Sequence, residues 1–185
     1  MTIDTSGLSE EQKATAEFKS MYAGMMYQLN DPGYITALCA HEAAHLIFYE
    51  MMSTIRYVLV PPKIMYDAQI GMFIGHLAAI ELAEEPICEP HRLQEYVTMI
   101  SHAQVAGRVV ARKLLPDCYG GDKGDKEKFE RICAELSTHF WGFPIDAEAV
   151  WTRAQNEVER RLEKESWIME SIQQRAIELR PLFGL

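Results

Sequence analysis

Apolar residues recur every three or four positions along most of this chain, which is the spacing of one helical face. The first such segment follows a capping-box pattern at Ser9 and Gln12, and its apolar positions are Phe18, Met21, Tyr22, Met25, Met26 and Leu29. A second begins with Asp31 as an N-cap and Pro32 at the first helical position, and it reaches residue 52. A third covers residues 91–115, and its inner positions are Leu93, Val97, Ile100, Gln104, Gly107, Val110 and Leu114. These patterns predict three helices in the first two thirds of the chain.

The remaining third of the chain also has helical spacing. After a turn-rich, acidic loop over 116–125, we predict a helix whose inward positions are Phe129, Ile132, Cys133, Leu136 and Phe140. A break at 142–144 precedes a long, charged helix that starts at the N-cap Asp146, runs to about residue 180 and is interrupted near Glu165. Its apolar line consists of Val150, Ala154, Val158, Leu162, Ile168, Ile172 and Ala176.

The segment between residues 53 and 90 has a different pattern. Residues 55–60 are β-branched and aromatic and predict a strand that ends at 61–63. Residues 69–76 predict a second strand, and 77–90 form an acidic, partly helical stretch. We expect the two strands to form a small antiparallel sheet beside the helix over 32–52. The predicted fold class is therefore α+β, mostly α, with a helical bundle, in a single domain over 1–185 with a flexible tail over 1–8.

The composition limits the classes of partner and the cellular compartment that we expect for this protein. The 185 residues are 48% hydrophobic and 24% charged, and the formal net charge of −9 argues against nucleic acid or an anionic membrane as the main partner. The four cysteines are not arranged as C-x-x-C and indicate free thiols in a reducing compartment: Cys39, Cys88, Cys118 and Cys133. The N-terminal residues lack the pattern of a signal peptide, and no apolar run could span a bilayer. We expect a cytoplasmic protein.

The candidate chemistry lies in the second helix, where His41, Glu42 and His45 form the pattern H-E-x-x-H. Residues four apart on a helix share a face, so both imidazoles can bind one ion, and Glu42 can reach a water beside it. Leu38, Phe48 and Met52 continue this face, which would therefore be buried. Two core histidines bonded to backbone are the alternative, but burying three polar groups is costly unless an ion binds them. The motif predicts a zinc site.

A catalytic zinc site has three protein ligands, so one ligand must come from elsewhere in the chain. The candidates are His76, His102, Asp122, Asp125 and Glu130. Asp122 could equally be an N-cap and His102 a core histidine, so the residues alone leave this choice open.

Gly107 lies in the middle of the third helix, where glycine costs up to about 1 kcal/mol relative to alanine. We expect the backbone of the H-E-x-x-H helix to approach closely at this position.

The order of motifs resembles the protease domain of the FtsH-type zinc metallopeptidases (peptidase family M41). That family has H-E-A-G-H where residues 41–45 read H-E-A-A-H, and its strand with a Pro-Arg element is similar to 58–63 (V-L-V-P-P-K). Its G-G-R-A-A helix is similar to 105–111 (V-A-G-R-V-V-A), and its Gly-rich turn with N-D-L is similar to 120–126 (G-G-D-K-G-D-K). The resemblance implies a zincin-like fold and Asp125 as the third zinc ligand.

The resemblance covers about residues 30–180, without the ATPase domain and membrane helices of that family. It implies an ATP-independent zinc peptidase that cleaves peptides or unfolded segments, with His41, His45 and Asp125 on the zinc and Glu42 as general base. An exposed sheet edge could take the substrate as an extra strand, or the strands could only cover the core. The alternatives are a non-catalytic peptide- or partner-binding protein with a structural metal, and a hydrolase of other substrates. The protease domains of that family assemble into rings, so the resemblance leaves the formation of a homo-oligomer open.

Overall fold

A computed structural model of the protein describes residues 9–13, 15, 19, 24, 27–28, 30–51, 57–60, 63–67, 72–76, 79–82, 92–116, 122–139 and 144–182. The helices in these residues are α1 (Glu10–Lys13), α2 (Pro32–Glu50), α3 (Leu93–Leu114), α4 (Asp122–His139), α5 (Ala147–Lys164) and α6 (Ser166–Leu182). The strands are β1 (Tyr57–Val60), β2 (Lys63–Asp67), β3 (Met72–His76) and β4 (Ala79–Leu82).

Two predicted helix starts are confirmed by their hydrogen bonds. The Asp31 carboxylate accepts from the backbone N–H groups of Gly33 (2.8 Å) and Tyr34 (3.3 Å), with Pro32 as the first residue of α2. Ser9 and Gln12 form the reciprocal bonds of a capping box before α1. The tail over 1–8 and the apolar positions predicted to follow α1 lie outside the described residues.

Helix α2 is the centre of the fold. Every residue from 39 to 49 is buried, so this helix is covered on all sides rather than along the single predicted stripe. Leu38 is partly buried and Phe48 is fully buried, whereas Met52 lies outside the described residues. Helix α2 packs mainly against α3 and α6, and β4 also contacts it. A central position stabilises a helix that is apolar on most of its circumference, because it buries all of that apolar surface.

Helix α3 covers nearly the predicted range, and it packs against α2, α5 and α4. Its predicted inner positions Val97, Ile100 and Val110 are buried. Leu114 was also expected inside, but it lies in the last turn and is 37% exposed. In α4, the predicted core positions Phe129, Ile132 and Cys133 are buried and Leu136 is partly buried, whereas Phe140 lies outside the described residues.

The interruption predicted near Glu165 is confirmed. Helix α5 ends at Lys164 and α6 begins at Ser166, while the Arg161 guanidinium donates to the Glu165 carboxylate at 2.9 and 3.1 Å. Asp146 caps α5 by accepting from the backbone N–H of Ala149. The apolar line faces the core as predicted, with Val150 partly buried and these residues buried: Ala154, Val158, Leu162, Ile168, Ile172 and Ala176.

The predicted α+β class is wrong, because the described part of the chain is mostly helical and lacks the single small antiparallel sheet that was expected beside α2. The strands form two separate antiparallel pairs, β1 with β4 (Tyr57 opposite Leu82) and β2 with β3 (Lys63 opposite His76). The two predicted strands therefore do not pair with each other. Strand β4 lies where a partly helical stretch was expected. Alternation along a strand indicates which residues share a face, but it does not choose the partner strand.

None of the helices in the described residues combines the length and apolarity that crossing a bilayer requires. Several other predicted features lie outside the described residues. They are the acidic residues Glu84, Glu85 and Glu89, the cysteines Cys88 and Cys118, and the break at 142–143.

Candidate metal centre

The two histidines of the motif face each other on α2. Their ring planes are nearly perpendicular, with centroids 4.6 Å apart, and the Nε2 atoms of His41 and His45 are 3.0 Å apart. Both side chains are buried in the core. The helical spacing thus brings both Nε2 atoms to one point inside the molecule.

Helix α3 orients one of these rings from behind. The Nδ1 atom of His45 lies 2.7 Å from the carbonyl oxygen of Ala103, a distance at which Nδ1–H donates to the carbonyl. That bond leaves Nε2 as the nitrogen available to an ion. A backbone carbonyl behind the ring is a common partner of metal-binding histidines.

Asp125 brings a carboxylate to the same point. It lies in the first turn of α4, and its Oδ2 atom is 3.2 Å from Nε2 of His41 and 3.4 Å from Nε2 of His45. This oxygen is buried and makes no hydrogen bond of regular geometry, although both nitrogens are within ion-pair distance. A buried carboxylate oxygen in that position is suited to bind a cation.

The spacing of these donor atoms fits a small divalent ion. Two Nε2 atoms and one Oδ2 atom form a triangle with edges of 3.0, 3.2 and 3.4 Å. Ligands about 2.0–2.1 Å from a tetrahedral zinc ion are about 3.3–3.4 Å apart, so the triangle has nearly the right size.

Glu42 lies beside this triangle, with its Oε1 atom 3.9 Å from Nε2 of His41. The buried group formed by His41, Glu42 and His45 could hold a metal ion, since its ligand atoms all lie within 4.8 Å of one another.

His45 and Asp125 each stabilise the charged form of the other. Burial by itself lowers the pKa of His45, but the Asp125 carboxylate outweighs it and raises the pKa of that imidazole to about 9. Burial likewise raises the pKa of Asp125, but His45 and His41 outweigh it and hold the pKa of that carboxyl well below its usual range. A carboxylate therefore lies beside a proton-binding imidazole, and a cation bound there would displace the imidazole proton.

Two of the other candidate ligands lie away from the triangle. His102 is half-buried on α3 next to Glu157 and Arg161 of α5, and burial lowers its pKa. Glu130 is an exposed side chain of α4, 4.0 Å from Lys126. The side chains of Asp122 and His76 lie outside the described residues. Of the side chains that are described, the structure brings Asp125 to the histidines, and its role as a ligand stays a prediction.

Gly107 packs directly against the two rings. A Cβ atom built on it would lie 2.6 Å from Nε2 of His45, 2.7 Å from Cε1 of His45 and 2.8 Å from Cε1 of His41. The predicted close approach to the H-E-x-x-H helix is confirmed, but the contact is with imidazole side chains rather than with backbone.

Sequence reasoning missed two features of α3 that border the site. The role of the Ala103 carbonyl could not be read from the sequence, because every residue has a backbone carbonyl. The buried hydrogen bond from the Gln104 amide to the Tyr49 hydroxyl, at 2.9 Å, links α3 to α2 one turn beyond His45. A polar residue at a predicted core position was the available signal for Gln104.

No protein family, curated protein or solved structure matches this chain. The resemblance to the FtsH-type peptidases therefore rests on the motifs alone.

Proposed function

We propose that the protein is a zinc-dependent peptidase that cleaves unfolded polypeptide segments. His41, His45 and Asp125 would hold the zinc, and Glu42 would act as general base. The observation that carries the proposal is the approach of the Asp125 carboxylate to both Nε2 atoms at 3.2 and 3.4 Å. A third donor in that position, supplied by a distant helix, is what a catalytic zinc site requires in addition to H-E-x-x-H.

Zinc is supported by the donor set. Two imidazole nitrogens and one carboxylate oxygen suit zinc better than magnesium or calcium, which prefer oxygen ligands. When bound, the ion would supply Lewis acidity and lower the pKa of a water toward about 7.

Residues of the chain itself would transfer the proton and orient the His45 ring. The Glu42 carboxylate is buried and farther from His41 than the Asp125 oxygen is, at 3.9 against 3.2 Å. From there Glu42 would take a proton from the attacking water and pass it to the leaving nitrogen. The Ala103 carbonyl would hold the His45 ring in the required tautomer.

Glu42→Gln tests this assignment, because the amide keeps the shape of the side chain and removes the base. We expect the variant to bind one zinc per chain and to lose at least about 100-fold in kcat/KM against unfolded casein, assayed without nucleotide. Glu50→Gln is the matched control, since Glu50 is an exposed carboxylate at the end of the same helix. Cleavage by Glu42→Gln at the wild-type rate would overturn the role of Glu42.

A zinc-loaded wild-type protein that cleaves nothing would instead favour the non-catalytic binding protein. X-ray absorption on the zinc protein separates these two outcomes. Three protein ligands and one solvent oxygen support the peptidase, whereas a fourth protein ligand supports a structural metal.

A further inference from the structure

Gly107 has no conformational reason to be glycine. It lies in the interior of α3, is buried and has an ordinary helical backbone, without the left-handed φ that favours glycine. Glycine is the least favourable residue after proline in such a position. Its presence therefore calls for a reason in the packing.

The packing around Gly107 supplies that reason. The three nearest atoms to a Cβ at this position all belong to the imidazoles of His41 and His45, at 2.6–2.8 Å. Carbon atoms in contact are normally about 3.5–4.0 Å apart, so even one methyl group would have to displace the rings. One of the three atoms is Nε2 of His45, which faces Asp125.

The His45 ring has little freedom to move aside. The Ala103 carbonyl holds Nδ1 of His45 at 2.7 Å, and it lies one turn before Gly107 on the same helix. The buried bond between Gln104 and Tyr49 connects α3 to α2 next to it. A side chain at position 107 would therefore break the bond to Ala103 or turn Nε2 away from Asp125.

We propose that Gly107 is a positioning residue of the metal centre: the missing side chain leaves the space in which both imidazoles turn their Nε2 atoms toward Asp125. This inference rests on the proposed metal site, but not on catalysis by it. It assigns to α3, whose candidate ligand His102 lies away from the triangle, the role of a template for the two histidines on α2.

Gly107→Ala tests the proposal, with Gly124→Ala as the matched control. A Cβ at Gly124 would meet nothing within 4 Å, although Gly124 precedes Asp125 directly. We expect zinc affinity, measured by competition with a chromophoric chelator, to fall by about 10–100-fold in Gly107→Ala and to stay unchanged in Gly124→Ala. A folded Gly107→Ala protein that binds zinc with wild-type affinity would overturn the proposal.

A double-mutant cycle in the presence of a chelator tests the same contact without metal or activity. Gly107→Ala should lower the urea midpoint of the wild-type protein and raise that of His41→Ala/His45→Ala, because alanine favours the helix once the rings are gone. Equal shifts in both backgrounds would refute the steric role. If Gly107→Ala alone does not fold, we expect the background without both rings to restore folding, and failure to do so counts against the proposal.

The two proposals can fail separately. If the wild-type protein binds no zinc, the proposed function fails, while the cycle still decides whether Gly107 places the imidazoles.

Discussion

At the scale of single residues, Asp125 gives the two imidazoles a partner of opposite charge. Its buried Oδ2 atom lies nearly equidistant from both Nε2 atoms, so it lowers the energy of any positive charge held between them. Such a charge is the proton on His45, whose pKa the Asp125 carboxylate raises to about 9, and it would be the cation if an ion binds. The same geometry would thus suit both a protonated imidazole and a bound cation.

We predict that Asp125→Asn lowers zinc affinity by more than about 100-fold, because even residues that only support a ligand contribute about 10–100-fold. Glu130→Gln removes a carboxylate from the exposed side of the same helix and should leave the affinity unchanged. Competition with a chelator measures both. If Asp122→Asn loses zinc and Asp125→Asn keeps it, the third ligand is at the start of α4 instead.

We expect burial to make the thiols of the two described cysteines unreactive. Cys39 and Cys133 are both buried free thiols, and burial raises the pKa of each to about 11. Since the thiolate is the reactive form, neither should react near neutral pH while the protein is folded.

The expected result is zero fast-reacting thiols in a Cys88→Ser/Cys118→Ser protein at pH 8, and two after addition of denaturant, counted with a chromogenic disulfide. Rapid modification of the folded protein would show that one of the two thiols is accessible.

At the scale of elements, α2 depends on a start signal that is local in sequence. Asp31 satisfies two of the free N–H groups of its first turn, and Pro32 needs no such partner. The histidines lie about three to four turns after Asp31, so the cap contributes to the stability of the helix but not to the geometry of the site.

Asp31→Ala should therefore cost about 1 kcal/mol in the free energy of unfolding, as for other N-caps, with zinc stoichiometry unchanged. Asp31→Asn keeps a capping oxygen and should retain most of the stability. Urea denaturation and metal analysis measure the two quantities. Loss of zinc from a folded Asp31→Ala protein would contradict the separation of cap from site.

At the scale of the whole molecule, the candidate centre joins three helices. Its histidines come from α2, its carboxylate from α4, and the Ala103 carbonyl and Gly107 from α3. Unfolding would separate these elements, so an ion bound among them would stabilise the native arrangement of the bundle.

Zinc should accordingly raise the stability of the protein. At a free concentration about 100 times its Kd the gain is about 2.7 kcal/mol, and for a chain of this size that raises Tm by roughly 5–10 °C. Calorimetry with zinc and then with excess chelator measures the difference, and Asp125→Asn should abolish most of it. An unchanged Tm for the wild-type protein would contradict zinc binding to the folded state.

Helix positions and caps could be predicted from the sequence because they depend on neighbours within a few residues. Asp31, Asp146 and the interruption at Glu165 were found in this way. The pairing of the strands could not be predicted from the sequence, because it joins segments whose order in space the local pattern does not encode. The burial of α2 on all sides, and the exposure of Leu114, likewise depended on which helices surround each position.

The sequence by itself determined that His41 and His45 share a helical face and that Glu42 lies next to them, since helix geometry fixes residues one to four apart. Tertiary structure alone decided that Asp125 approaches both Nε2 atoms, that Ala103 orients His45, and that Gly107 packs on imidazoles rather than backbone. The physical reason is distance along the chain: contacts between separate helices depend on how whole faces pack, which no short spacing specifies.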